Sequence, residues 1–284
     1  MTYEKNQKIL LADIDGKMFL HNVLLPYNTL KSQESSKKSK DKNESKNLQL
    51  FFAEDGLYLS EVNSANVLYM TTYISSDSFD SYNISTGGND YLPLSVNLDK
   101  ILTAFSGSDG TVSLELVADK QRLDVTSGVF HYGLGLKKAK DKEPKYPKVP
   151  LDDNFSLKAE EYSNIISKCS AFSPYITISV VQNPVDENDF NIKFVSKDTN
   201  TNESVTVNID KYELIDNSGL KEEAKVNIDS QGTGYLNLLK NVLKENIPEL
   251  EVSLKSNYPV EIKFDIGEDV GYSKILLAPR GSND

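Results

Sequence analysis

A lysine- and proline-rich stretch divides this chain of 284 residues into halves of equal length, and the two halves repeat one pattern of elements. The stretch is Lys137–Pro150, KKAKDKEPKYPKVP, with prolines at 144, 147 and 150. Proline fixes φ and has no N–H to donate, so the run reads as an extended connector, not as part of a core. The reading is a first domain over 1–132, a connector over 133–152 and a second domain over 153–284. Each half holds two segments with apolar residues at i, i+3, i+4 and i+7, the spacing that gives a helix one buried face. They are Leu20/Val23/Leu24/Tyr27 and Leu98/Ile101/Leu102/Phe105, then Tyr162/Ile165/Ile166/Cys169 and Tyr235/Leu238/Leu239/Val242. Asn97 is placed to cap the second helix and Gly107 to end it. Pro26 is expected to end or bend the first.

Between the helices the period falls to two, the mark of strands with one buried face. In the first half these are Leu48–Phe52, Leu57–Leu59, Val67–Ile74, Thr111–Val117, Arg122–Val125 and Val129–Leu134, with Glu54-Asp55-Gly56 as a hairpin turn. In the second half they are Ile176–Val181, Phe190–Val195, Ser204–Ile209, Glu251–Leu254, Val260–Ile266 and Lys274–Leu277. Many antiparallel strands with two short helices per half define an α+β class, helices covering one face of a sheet. One segment stands outside the pattern. Lys31–Lys46, KSQESSKKSKDKNESK, has no apolar residue, so it is expected to be a disordered, basic insertion between a helix and a strand.

The residues that most chemistry needs are scarce. Two histidines and one cysteine leave too few ligands for common zinc sites and disfavour Cys/His nucleophiles. No phosphate-binding or dinucleotide glycine loop occurs. The acid pairs Asp152-Asp153 and Asp13/Asp15 lie in polar surroundings where solvated carboxylates are the default. No catalytic residue, cofactor or metal is expected. The single Cys169 fits a reducing compartment, and the polar Met1–Gln7 has no apolar leader core. No apolar run approaches a membrane span, so a membrane partner is not expected.

The helix faces carry the hint of function. At about 100° per residue, position i+2 of each quartet lies opposite the buried stripe. These positions are Asn22, Lys100, Asn164 and Asn237, with Lys168, Lys240 and Lys244 nearby and Lys17 on a flank. None is acidic, although 42 acids against 31 bases give a net charge of −11. Such faces are either ordinary solvated surfaces or surfaces that meet a polyanion. Glu161 and Glu245, toward the edges of two of them, weigh against the second reading.

Several strings then resemble one family in the right order. Phe51-Phe52-Ala53-Glu54-Asp55-Gly56-Leu57-Tyr58-Leu59, followed by Asn63-Ser64-Ala65-Asn66-Val67, resembles the strand and D-S-S-H-V signature of proliferating cell nuclear antigen (PCNA). Leu98-Asp99-Lys100-Ile101-Leu102 resembles its L-x-K-I-L helix, Tyr258-Pro259-Val260 its V-P-L strand, and Leu276-Leu277-Ala278-Pro279-Arg280 its C-terminal ending. The resemblance implies a divergent archaeal or viral sliding clamp: a trimeric ring of two-domain subunits whose helices line a hole for duplex DNA. Its implied partners are DNA, DNA polymerase, a clamp loader, other enzymes with clamp-binding peptides, and further copies of itself. Its implied location is the cytoplasm or nucleoid, or the nucleus of a eukaryote. It implies a DNA-facing set of Lys17, Asn22, Lys100, Asn164, Lys168, Asn237, Lys240 and Lys244. It implies a partner-peptide pocket of Val62, Asn66, Val67, Tyr146, Val149, Pro259, Leu276, Leu277, Ala278 and Pro279. Because exposed strand edges must be paired or protected, subunits are expected to join edge to edge at Gly128–Leu136 and Ile192–Asp198, with Val129 and Phe194 in the interface.

The chain departs from the family where Asn66 replaces histidine, Leu276 replaces tyrosine, and the connector is rich in lysine where the family's is acidic. The last departure points to partners with acidic flanks. Two other readings stay open: a checkpoint-type clamp subunit of the same fold, and an acidic, β-rich structural or surface protein that is not a clamp.

Overall fold

The computed structural model describes residues 7–35, 47–117, 121–140, 145–183 and 189–280. The chain forms two compact units. The first comprises Met1–Glu61, Met70–Lys145 and Ile266–Ser273, and the second Val62–Tyr69, Tyr146–Asp265 and Lys274–Asp284. The change at 145/146 falls within the stretch read as the connector, and each unit also takes short strand segments from the other half of the sequence.

In the first half of the chain the elements are β1 (Lys8–Asp15), α1 (Gly16–Met18), a π-helical turn (Phe19–Leu24), α2 (Leu25–Ser35), β2 (Asn47–Ala53), β3 (Gly56–Val62), β4 (Leu68–Ser75), β5 (Ser81–Ile84) and β6 (Leu92–Asn97). They continue with α3 (Leu98–Phe105), β7 (Thr111–Val117), β8 (Arg122–Ser127) and β9 (Phe130–Gly135). A five-stranded sheet runs β5-β1-β7-β8-β9, and a second run has the order β4-β3-β2-β6. Alternation sends Val112, Leu114, Leu116, Leu123 and Val125 inward to meet Leu10, Ala12 and Ile14 of β1 in the core. The rings of Phe19 and Phe105 lie 5.0 Å apart, joining the two helical segments. Asn97 caps α3 by accepting from the Lys100 N–H at 3.1 Å, and Gly107 takes the left-handed conformation just beyond it. At the β2–β3 hairpin Gly56 has φ of 151°, and a Cβ there would lie 2.0 Å from the Ile74 carbonyl oxygen, so only glycine fits.

In the second half the elements are β10 (Asp153–Lys158), α4 (Ala159–Phe172), β11 (Ile176–Gln182), β12 (Phe190–Lys197), β13 (Ser204–Ile209), β14 (Ala224–Ile228), α5 (Ser230–Asn246), β15 (Glu249–Leu254), β16 (Val260–Gly267) and β17 (Gly271–Leu277). One sheet has the order β13-β12-β11-β14, and a further run has the order β10-β15-β16-β17. The Asp229 carboxylate caps α5 by accepting from the Gln231 and Gly232 N–H groups. The helices run antiparallel side by side: Ser170 Oγ donates to Asn237 Oδ1 at 3.0 Å, and Lys244 Nζ reaches Glu160 at 3.4 Å. Among the described residues the two halves share one order of elements. Each begins with a strand and a helical segment, passes through further strands to a second helix, and ends on three strands.

The structure changes several expectations. Pro26 does not end the helix: it is the second residue of α2, which follows the π turn directly and continues to Ser35. Lys31–Ser35 are therefore helical, and the rest of the Lys31–Lys46 insertion, 36–46, lies outside the described residues. β1 alternates from Leu10 to Asp15, with Leu10, Ala12 and Ile14 buried and Leu11 and Asp13 half-buried, but the adjacent apolar Ile9, Leu10 and Leu11 blur that period in the sequence. β10 hides a buried Asp153 in an inward position, and β6 contains Pro93. β5 and β14 are short. Period alone reveals none of these five strands.

Candidate functional site

The residues expected to form the partner pocket all belong to the second unit. Asn63 is the local organiser. Its side-chain oxygen accepts from the Val67 and Leu68 N–H groups at 2.9 and 3.1 Å. Its carbonyl accepts from the Asn66 N–H at 2.9 Å. The result is a tight turn between β3 and β4 with Asn66 exposed at a positive φ of 56°, a conformation asparagine tolerates. Sequence reading names Asn66 and Val67 but misses Asn63, whose place three residues before Asn66 is a turn signal. The C-terminal tail then docks on this turn: the Ala278 N–H donates to the Val67 carbonyl at 2.8 Å. Farther along, the Arg280 N–H donates to the Asn227 carbonyl and its guanidinium stacks over Tyr175 at 4.2 Å.

Tyr146 anchors the connector. Its ring meets Tyr69 of β4 edge-on at 5.3 Å, its hydroxyl donates to Glu261 of β16 at 2.6 Å, and Lys274 of β17 lies 5.6 Å from its centroid. Lys274 also pairs with Glu261 at 3.6 Å. One aromatic side chain thus binds the connector to three strands, by ring contact, charge-assisted hydrogen bond and cation–π attraction. Val62, Val67, Val149, Pro259, Ala278 and Pro279 are half-buried, whereas Leu276 and Leu277 are buried in the core and support the tail from beneath.

The helix faces are less uniform than their sequence pattern. Lys17, Lys100, Asn164, Lys168 and Lys244 are exposed. Asn22 turns inward and donates to the Ile266 carbonyl at 2.8 Å, since the π turn shifts the helix phase just where Asn22 sits. Asn237 accepts from Ser170 and from Lys240 Nζ at 2.7 Å, so Asn237 and Lys240 are half-buried between α4 and α5. The buried stripe of α5 is Tyr235, Leu236, Leu239 and Leu243, which leaves Leu238 49% exposed instead of buried. The acids Asp99, Glu160 and Glu245 are exposed on the same helices, so the positive field on these faces is thin.

The strand edges require a correction. β9 is an edge of its sheet, and Val129 just before it is 85% exposed, followed by exposed Phe130. Phe194 is fully buried on β12, which is hydrogen-bonded to β11 on one side and β13 on the other. It is a core residue and Ile192–Asp198 is no edge; the terminal strands of that sheet are β13 and β14, and the C-terminal tail bonds to β14 at Asn227 and Ile228. A buried phenylalanine and an edge phenylalanine look alike in a period-two string, and strand order alone separates them.

Among the described residues, no group of three His, Cys, Asp or Glu side chains is arranged to hold a metal, and no helix is long and apolar enough to cross a membrane. No family model matches the chain. It is similar to curated archaeal proteins named DNA polymerase sliding clamp. It is 26% identical over 236 residues to that of Methanoregula boonei, covering 82% of this chain and 88% of the relative. It is likewise 26% identical over 235 residues to that of Archaeoglobus fulgidus, with 82% and 88% covered. Among solved structures, A. fulgidus PCNA bound to the C-terminal region of FEN-1 matches with a TM-score of 0.75 at 24% identity, covering 97% of this chain and 100% of that one. PCNA from Entamoeba histolytica matches with a TM-score of 0.75 at 15% identity and the same coverage.

Proposed function

We propose that this chain, a member of the PCNA family of sliding clamps, is a DNA polymerase sliding clamp: a trimeric ring that encircles duplex DNA and tethers polymerase and other replication and repair enzymes to it. The carrying observation is the repeat itself. Two units with one order of elements each present a helix pair whose outward residues include lysine or asparagine, on a chain of net charge −11. Lys17, Lys100, Lys168 and Lys244 touch phosphates without reading bases, Asn164 adds a neutral polar contact, and the acids among them keep the contact weak. A ring that must slide is helped by a shallow electrostatic well, because each firm phosphate contact adds steeply salt-dependent affinity.

The work of such a ring is tethering, not bond chemistry. Holding a polymerase on the same DNA molecule raises its effective concentration at the primer end without any new contact to DNA. The tether point is the ledge built by the Asn63–Asn66 turn, the C-terminal tail and the Tyr146-anchored connector, which receives a short apolar and aromatic peptide segment. Subunits join by pairing the open β9 edge of one copy with the open β13 edge of the next, which satisfies both edges. A loader opens the ring onto DNA in the cytoplasm, where the chromosome of an archaeal-type cell lies.

The test is topological. Loaded onto a nicked circular plasmid, the protein should stay through gel filtration at moderate salt and be released once the plasmid is linearised, because a ring slides off free ends. Equal retention on circle and line would point to ordinary surface binding and sink the reading.

A further inference from the structure

We propose that the partner segment docking beside Tyr146 carries acidic residues flanking its apolar anchor, and that Lys145 and Lys148 recognise them. The inference rests on the peptide-site reading above and names the chemistry of the occupant. Tyr146 and Val149 are the half-buried residues of this part of the connector, while Lys145, Pro147, Lys148 and Pro150 are exposed. The three contacts that hold the Tyr146 ring fix which way the extended chain faces. The two prolines, at 147 and 150, stiffen it, so both lysines present outward at little further entropic cost.

Neither lysine has an ion pair among the described residues, and two acids of the same unit are already matched. Glu261 is held by Lys274 and the Tyr146 hydroxyl, and Asp152 by Lys255. Across Lys137–Pro150 six lysines stand against two acids, on a chain of net charge −11. Arg280 adds a cation at the tail end of the same unit, fixed over Tyr175. A basic flank would meet like charge here, and an acidic flank would complement it.

The probes are synthetic peptides sharing one core of an aliphatic and two aromatic residues, flanked by acidic, neutral or basic residues, with binding to the full chain read by fluorescence anisotropy. Two exposed ion pairs should make the acidic peptide bind about fivefold tighter than the neutral one at low salt. The basic peptide should bind weakest, and the spread should shrink at high salt. In the double variant Lys145→Glu/Lys148→Glu the order should invert with unchanged circular dichroism, since both side chains are exposed. Equal binding of all three peptides, or tightest binding of the basic one, overturns the proposal while leaving the peptide site standing. Binding of none, together with no effect of Tyr146→Ala, removes the peptide site and the proposal with it.

Discussion

For single residues, burial decides which charges and rings tolerate change. Lys31 and Glu61 form an ion pair at 2.9 Å with side chains only 11% and 5% exposed. Removing one partner strands a buried charge, so Lys31→Met alone should cost about 3–5 kcal/mol. Adding Glu61→Leu should return most of that, because a buried pair replaced by apolar groups is near neutral. Urea denaturation of the single and double variants measures both, and equal stability of the two would refute the account. Phe194→Asp buries a charge and empties a ring-sized space. It should destabilise by about 4 kcal/mol or more and fail by unfolding instead of by dissociation, as shown by circular dichroism and light scattering together. Cys169 is fully buried, and burial pushes its thiol up to about 11. Its folded value lies above the unfolded one, so the thiol form favours folding below the unfolded pKa, and that contribution fades as pH rises toward 11. At a pH of about 8, near the ordinary thiol pKa, it should react with a thiol reagent only after denaturant is added; fast labelling of the native protein would contradict its burial.

Among the elements, helix phase sets which side chains reach outward. The π turn at Phe19–Leu24 rotates Asn22 inward, and the stripe Tyr235/Leu236/Leu239/Leu243 turns Leu238 out. The lysines that remain exposed are Lys17, Lys100, Lys168 and Lys244, the last of them paired with Glu160. Changing Lys17, Lys100 and Lys168 together to alanine should leave the melting temperature nearly unchanged, since none touches the core. It should shorten retention on circular DNA and flatten its salt dependence by at most about one unit of log–log slope for each phosphate no longer neutralised. Retention unchanged across a salt series would remove these side chains from the DNA surface. Asn237→Leu should act differently: it breaks the Ser170 and Lys240 bonds and loosens the α4–α5 packing before any effect on DNA.

For the molecule as a whole, the proposed ring would close through open strand edges. β9 and β13 each leave a row of backbone groups unpaired within one chain, and the exposed Val129 and Phe130 beside β9 add an apolar strip. Phe130→Asp should therefore shift the mass in solution from a trimer toward a single chain while far-ultraviolet circular dichroism is unchanged. A trimer that survives both Phe130→Asp and a proline placed at Val207 of β13 would show that the ring closes elsewhere.

The class of fold was legible from the residue order. A helix with one apolar stripe and a half-buried strand each write their period into the chain, and Asn97, Gly56 and Gly107 punctuate it by local backbone chemistry. The ordered strings from Phe51 to Arg280 likewise carried the resemblance to sliding clamps, because turns and tight packings constrain neighbouring residues together. Strand order, helix phase and pairing are settled instead in three dimensions. Phe194 is core and not edge because β13 lies beyond it, and β1 is a strand because β5 and β7 pair with it on either side. Lys31 is paired because β3 brings Glu61 to it from 30 positions away in the chain. Each of these depends on contacts between residues far apart in sequence, and a local period carries no record of such contacts.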